Sequence, residues 1–490
     1  MEQVDLGVIG GTVVVPYVGT FRADIGIRDG KIVSIEKEIE RGRMQDALDA
    51  TGKVVLPGAV DGHFHIGIYR PVSEDAETET RSGLVGGVTS VLSYFRTGSH
   101  YLNKTGSYRD IFPEVLRATE GHSYTDFGYH LGIMTSAQVS EIDWLVGEMG
   151  VASFKYYMFY KGLNLSSSST AGTAYTMSDV YDLGHLYRLM EAVKAASVKY
   201  GSRGRISLSL HCEHAEIIRT LIDEVRARGE EGLRAYSDGR PPFQERLAIA
   251  EATLLADVTK CPINLLHLSS AEALSGALKA RRDYPDIDIK LETTLHHLAL
   301  TYDDPHGIES AKVNPPIRSR ADVDALWRAV LSGDVDQVVS DHACCQLDMK
   351  QGGMWDALPG FGGTSLIYPV LMSEGFKKRK LPLTRVAELA AAGPARHFGL
   401  YPQKGSILVG SDADLAIVDP TLSAPVTKER LLSAQDHTPF EGFGITGWVT
   451  QTVRAGRTVF DQGRVLGRAD GTYLRRPAAV ADALTAVGAR

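Results

Sequence analysis

Cysteine is scarce: four residues in 490, Cys212, Cys261, Cys344 and Cys345, with no CxxC pair among them. That excludes a disulfide framework, since the adjacent Cys344 and Cys345 are poorly placed to bridge to each other, and a reducing cytoplasm is the expected compartment. Charge of one sign is not blocked into any segment. Lysine and arginine number 52 against 60 acids, for a net charge of -8, so nucleic acid is not an expected partner. No uninterrupted apolar run is long enough to cross a bilayer, and membrane insertion is not expected. The N-terminus, MEQVDLGVIGG, has neither the basic region nor the apolar stretch of a secretory signal. The remainder is ordinary globular composition, 43% hydrophobic and 23% charged. A chain of this length buries a large core and holds either several domains or one barrel with an attached module.

The pattern along the chain changes twice. Short β-rich pieces occupy the N-terminus: Leu6 to Ile9, Thr12 to Val15, Asp24 to Arg28 and Lys31 to Ile35, with Asp29-Gly30 as a hairpin turn. From Val54 apolar runs alternate with helical periodicity. Eight runs read as strands: Val54 to His63, Val88 to Phe95, Phe127 to Ile133, Ala152 to Met158, Ile206 to His211, Ile263 to His267, Ile287 to Thr293 and Gln337 to Asp341. Helices between them include Met177 to Val198 and one opened by a capping box at Ser269-Ser270-Ala271-Glu272. Eight alternating units predict an α/β chain built on a (β/α)₈ TIM-like barrel. β-Texture returns at Ser406 to Val409, Ala413 to Val418, Val449 to Ala455 and Arg457 to Phe460, so both chain ends are expected to share a small β-sandwich. The expected division is residues 1–53 and 401–466 for the sandwich, 54–400 for the barrel, and 467–490 for a tail suited to an oligomer contact or left mobile.

Ligand-type residues cluster at the ends of these runs, where a barrel gathers side chains. In VVLPGAVDGHFH, period-two alternation aims His63 and His65 to the same side. His211 ends the fifth run, His267 the sixth and Asp341 the eighth, while Lys155 interrupts the apolar run VASFKYYMF. Four histidines, one aspartate and one lysine suffice for two divalent metals. An ammonium at Lys155 is costly to bury beside cations, which favours the neutral amine. Such an amine takes up carbon dioxide and becomes a carbamate, an anionic ligand able to bridge two metals; the competing reading is a lysine snorkelling from an edge strand. His214, in the first helical turn after His211, is assigned a supporting role.

Together these residues resemble the amidohydrolase superfamily, and within it the cyclic amidohydrolases: dihydropyrimidinase or hydantoinase, allantoinase and dihydroorotase. The likeness runs through PGAVDGHFH, GGVTS, SFKYYMFYKG, HCEH, HLSS, ETTLHHL, KVNPPIR, SDHACC and the late GSDADLAIVD. It implies a binuclear centre, zinc first and manganese as the alternative, with His63, His65 and Asp341 on one metal, His211 and His267 on the other, and N6-carboxylated Lys155 between them. The implied reaction opens a cyclic amide or imide of dihydropyrimidine or hydantoin type through a metal-bridging hydroxide, giving an N-carbamoyl or amide acid. The implied assembly is a homodimer or homotetramer.

Tyr160, five residues after Lys155, matches the tyrosine that dihydropyrimidinase-type enzymes point at the substrate carbonyl. KVNPPIR, SDHACC and GFGGTSL look closer to allantoinases, so that subfamily is the runner-up. Asn314, by resemblance, offers a backbone group to the imide edge, and Asp341 shuttles the proton. Dihydroorotase-like sequences place an arginine directly after HxH; here Ile66 and Gly67 follow and Arg70 comes later. Arg70 either faces the pocket and selects an anionic substituent or pairs with Glu74 or Asp75. A non-catalytic scaffold is the reading from another class, and retention of all six ligand types argues against it. The serine-rich stretch Lys161 to Tyr175 is expected to be a lid or a plain linker.

Overall fold

The computed structural model describes residues 3–160, 181–304 and 310–476. Both the proposed lid, 161–175, and the end of the tail, 477–490, lie outside those residues.

Nine strand segments form one parallel sheet that closes on itself. In chain order they are Ala59–His65, Val88–Arg96, Asp126–Gly132, Ser153–Tyr157, Ser207–His211, Ile263–Leu265, Ile289–Thr294, Gln337–Val339 and His342–Ala343. The last two are halves of one eighth strand. Gln337–Val339 pairs with the seventh strand, and His342–Ala343 pairs in parallel with the first, His342 opposite Phe64. The barrel is therefore complete, with its eighth strand broken at Ser340-Asp341. Its strands read as near-continuous apolar runs because helices cover the outer face and side chains fill the interior.

The first expected strand, Val54 to His63, is in fact two. Val54–Pro57 belongs to a second, mixed sheet, antiparallel to Leu415–Pro425 and parallel to Val4–Val15, and the barrel strand starts only at Ala59. Gly58 makes the switch possible, since a Cβ there would meet the Thr89 hydroxyl at 2.3 Å. Both chain ends build this mixed sheet: Val4–Val15, Gly19–Arg28, Lys31–Glu36 and Met44–Asp49 from the front, Leu415–Pro425, Gly444–Arg454, Arg457–Asp461 and Arg464–Val465 from the back. Asp29 and Gly30, at φ 50° and 72°, make the expected hairpin turn. Met44–Asp49 was not expected, because MQDALD carries no apolar alternation and pairs only along the edge of Val4–Val15. Ser406 to Val409 is a loop instead of a strand; the Ser406 hydroxyl donates to the Pro402 carbonyl.

Val13, Ile25, Val55, Leu415, Ile417 and Val453 form the mixed sheet's own core. A buried ionic knot ties it to the barrel. Lys404 Nζ donates to Asp126 Oδ2 at 2.5 Å and Asp414 Oδ2 at 2.8 Å, and Arg454 Nη1 reaches Asp126 Oδ1 at 2.9 Å. Removing any one member would strand a buried charge, so the knot fixes the two units in register. The described part of the tail packs on its own chain, with the Leu474 N–H donating to the Phe127 carbonyl at 2.7 Å.

Two helix starts differ from expectation. The helix between the fourth and fifth barrel strands runs Leu183–Tyr200, capped by Asp182, which accepts from the Gly184 and His185 N–H groups at 2.9 and 3.0 Å. Helix Ala271–Asp283 is capped by Ser270, which accepts from Ala273 N–H. Ser269 is drawn away from that role to the carboxylate of Glu245 and the guanidinium of Arg318. The capping box lies instead at Ser319 and Asp322.

Candidate active site

His63 and His65 close the first barrel strand, Lys155 sits in the fourth, and His211 ends the fifth; His267 and Asp341 follow the sixth and the first half of the eighth. Ring and carboxylate atoms of His63, His65 and Asp341 lie within 4.8 Å of one another, all buried. Asp341 Oδ1 is 3.0 Å from His63 Nε2 and 3.2 Å from His65 Nε2. Lys155 Nζ lies 3.2 Å from His63 Nε2, and His267 Nε2 lies 2.9 Å from His211 Nδ1. All six expected ligands thus meet at one end of the barrel.

His267 and Asp341 have φ of 33° and 51°, in the left-handed region that non-glycine residues seldom occupy. Such backbone is held against its own preference by the surroundings, and here it turns both side chains off the strand direction toward the barrel axis. The break in the eighth strand has the same origin.

The protonation states suit cation binding. Burial pulls His65 and His211 down to about 4, and burial with the neighbouring His211 holds His267 well below its usual value. Burial also lowers the Lys155 amine to about 8. Burial opposes ionisation of Asp341, yet His63, His65 and His267 outweigh it and hold the carboxyl well below the ordinary range. At neutral pH His65, His211 and His267 are neutral imidazoles beside one carboxylate, donors that divalent metals take, whereas at His63 the lowering effect of burial is outweighed by Asp341 and Glu292, which raise it above its usual value. The buried Nδ1 of His267 has no hydrogen-bond partner among the described residues.

The supporting residues were not foreseen. Glu292, within the seventh strand, binds His63 Nδ1 at 2.7 Å and the His267 N–H at 3.2 Å, and takes a bond from Gln337 at 2.6 Å. Glu213 binds His211 Nε2 at 2.7 Å and is itself held by Arg240 and Gln244. Each carboxylate fixes one imidazole so that the opposite nitrogen faces the centre. The signal was present in HCEH and LETT, where an acid interrupts an apolar run. Tyr101 OH performs the same service for His65 Nδ1 at 2.9 Å.

Over the centre lies a cavity of about 250 Å³, lined in part by Tyr160, Asn314, Arg96 and Tyr69. Tyr160 stacks on Tyr157 with ring centroids 4.7 Å apart. Asn314 Oδ1 accepts from Tyr236 OH at 2.6 Å, which occupies its side chain. His214 stands apart, its ring between Glu216 and Glu251.

Arg70 takes the second of its two expected roles. Its guanidinium donates to Asp75 at 3.1 Å, Thr78 at 3.0 Å and Glu74 at 3.2 Å, and it is not among the residues lining the cavity of Tyr160 and Asn314. Burial and the neighbouring Glu79 push Asp75 up to about 7. Below that pH Asp75 is protonated in the folded chain; above it, two carboxylates face each other and need the guanidinium. Arg70→Ala is therefore expected to cost about 1–2 kcal/mol, between the values for surface and buried pairs. Melting temperatures should show a larger loss at pH 8 than at pH 5, and an equal or reversed loss would contradict this origin.

A closed parallel barrel whose strand ends gather histidine, aspartate and lysine is the build of a metal-dependent barrel hydrolase. The Amidohydrolase family model matches residues 245–459. An allantoinase of Rubrobacter xylanophilus is 33% identical over 477 residues, covering 97% of this chain and 98% of its own. A D-hydantoinase of Ralstonia pickettii is 30% identical over 486 residues, covering 96% and 99%. Among solved structures, the L-hydantoinase (dihydropyrimidinase) from Arthrobacter aurescens superposes with a TM-score of 0.85 at 29% identity, over 97% of this chain and 100% of that one. The chain belongs to the amidohydrolase family, and that membership together with the buried His63, His65 and Asp341 group implies binding of divalent metal.

Proposed function

We propose that this chain opens a cyclic amide or imide ring of dihydropyrimidine or hydantoin type by hydrolysis. One observation carries the reading: six ligand-type side chains from five strands converge beneath a cavity sized for a small ring. The relatives support it, since they include allantoinases and hydantoinases.

His63, His65 and Asp341 would hold one cation and His211 and His267 another, zinc in first place, with N6-carboxylated Lys155 between them. When bound, the pair supplies hydroxide at neutral pH and polarises the carbonyl. Asp341 accepts the proton of the attacking water on its carboxylate and passes it to the departing ring nitrogen, which cannot leave as an anion. The hydroxyl of Tyr160 donates to the carbonyl oxygen as negative charge builds on it. Glu292 and Glu213 hold His63 and His211 in the one tautomer that faces the centre. The barrel wall of Tyr94, Tyr157 and Phe159 keeps bulk water from the reacting atoms. We place the enzyme in the cytoplasm, supported by four free, buried cysteines, as a homodimer or homotetramer whose size light scattering would report.

The test is a substrate panel of dihydrouracil, substituted hydantoins, allantoin, dihydroorotate and simple cyclic imides, run with bicarbonate and with zinc or manganese. Turnover of a hydantoin or dihydropyrimidine is expected. Turnover of allantoin alone would move the chain to the runner-up subfamily, and turnover of none would remove the ring class.

A further inference from the structure

Arg96 ends the second barrel strand and is buried, yet it lines the cavity above the ligand cluster. Its strand position is level with the chemistry: Arg96 pairs with Gly132, and Gly132 pairs with Lys155 on the next strand. Space for the side chain is provided by glycines. A Cβ on Gly132 would meet the Arg96 Cβ at 2.9 Å, and one on Gly98 would lie 3.1 Å from Nη1. Neighbouring carbonyls fix the direction of the guanidinium, Nη1 donating to Ser99 O at 3.0 Å and Thr97 O at 3.3 Å. Its faces are covered by Tyr160 at 5.2 Å and Tyr101 at 5.9 Å.

Among the described residues no carboxylate lies within 4.0 Å of Arg96, whereas the comparably buried Arg240, Arg318 and Arg454 pair with Glu213, Glu245 and Asp126. Arg476, also without an acid, spends both terminal nitrogens on Ser153 and on main-chain carbonyls and lies away from the cavity. A buried charge is tolerated when something compensates it, and for a charge that faces a substrate cavity the compensating group can arrive with the substrate.

Resting on the cyclic amidohydrolase reading, we propose that Arg96 is the specificity-determining residue, binding a carboxylate carried on the ring substrate beside the Tyr160 end of the cavity. A guanidinium fork receives a carboxylate through two parallel donors, a recognition that an uncharged isostere cannot reproduce. Arg70, which the loop sequence pointed to, is occupied by Asp75, Thr78 and Glu74 and plays no part in it.

The test compares a hydantoin bearing a carboxymethyl group at C5 with its carbamoylmethyl isostere, on the metal-loaded wild type and on Arg96→Gln and Arg96→Lys. Both turnover and calorimetric binding are measured. The wild type should prefer the acid in kcat/KM by about 10- to 100-fold, the factor carried by a bond to a charged partner. Arg96→Gln should erase that ratio, and Arg96→Lys should restore part of it; circular dichroism and the melting temperature check that each variant is folded. Opening of both rings with no preference in the wild type, or an unchanged ratio in Arg96→Gln, would overturn the proposal and leave the hydrolase reading standing. Selective binding of the acid, lost in Arg96→Gln but without ring opening, would support the anion site and count against the hydrolase reading. Neither selective binding nor turnover would remove both.

Discussion

Lys155→Ala is expected to lower kcat/KM for ring opening by about 10³-fold or more, and millimolar acetate or propionate should restore part of the loss. The lysine is fully buried in a central strand, its Nζ 3.2 Å from His63 Nε2 and 3.9 Å from the centre of the Tyr94 ring. No carboxylate stands within 4.0 Å of it among the described residues, and burial lowers the amine to about 8. A group so placed serves poorly as a permanent cation. As a neutral amine it reacts with carbon dioxide, and the carbamate offers two anionic oxygens toward the imidazoles. A small carboxylate diffusing into the space left by alanine presents the same pair of oxygens, which is why rescue discriminates this role from simple packing. Activity and metal content should be followed together, with and without bicarbonate. Unchanged turnover and metal content in Lys155→Ala would sink the bridging role, and a loss that no carboxylate repairs would reduce Lys155 to a structural residue.

The six strand-end ligands could be read from the chain because each interrupts or terminates an apolar run, and a barrel turns that one-dimensional signal into a shared location. The boundary near Val54 was harder. VVLPGAVDGHFH is one apolar run, and only the tight approach of Gly58 to Thr89 transfers the chain from one sheet to the other. Glu292 and Glu213 went unnoticed since a buried acid beside histidines resembles a ligand or a cap until the ring nitrogen it touches is known. The two arginines illustrate the same limit. Arg70 sits in a loop next to HxH, where sequence proximity suggests substrate contact, but Asp75 and Thr78 one helical turn away capture it. Arg96 falls just past the expected strand Val88 to Phe95, and its place level with Lys155 follows from register across three strands, a relation that no local pattern carries.

Asp341→Asn should lower kcat by about 10³- to 10⁴-fold, the range for removing a positioned acid–base group, while leaving the fold intact. The residue occupies the left-handed region at φ 51°, which asparagine adopts as readily as aspartate, so the substitution spares the break in the eighth strand. What it removes is the charge whose oxygen sits 3.0 and 3.2 Å from His63 and His65. His63, His65 and His267 hold that carboxyl well below its usual range against the opposing effect of burial, so it is already ionised throughout the neutral region. The acid limb of the wild-type pH–rate profile should therefore lie below that of an ordinary carboxylate, with Asp341 in its ionised form across the neutral region. Measuring metal content alongside kcat separates the two duties given to this side chain. Retained metal with lost turnover assigns the proton transfer to Asp341, whereas lost metal assigns it chiefly to holding the cation. Turnover within about tenfold of the wild type would leave the ring nitrogen to be protonated by another group.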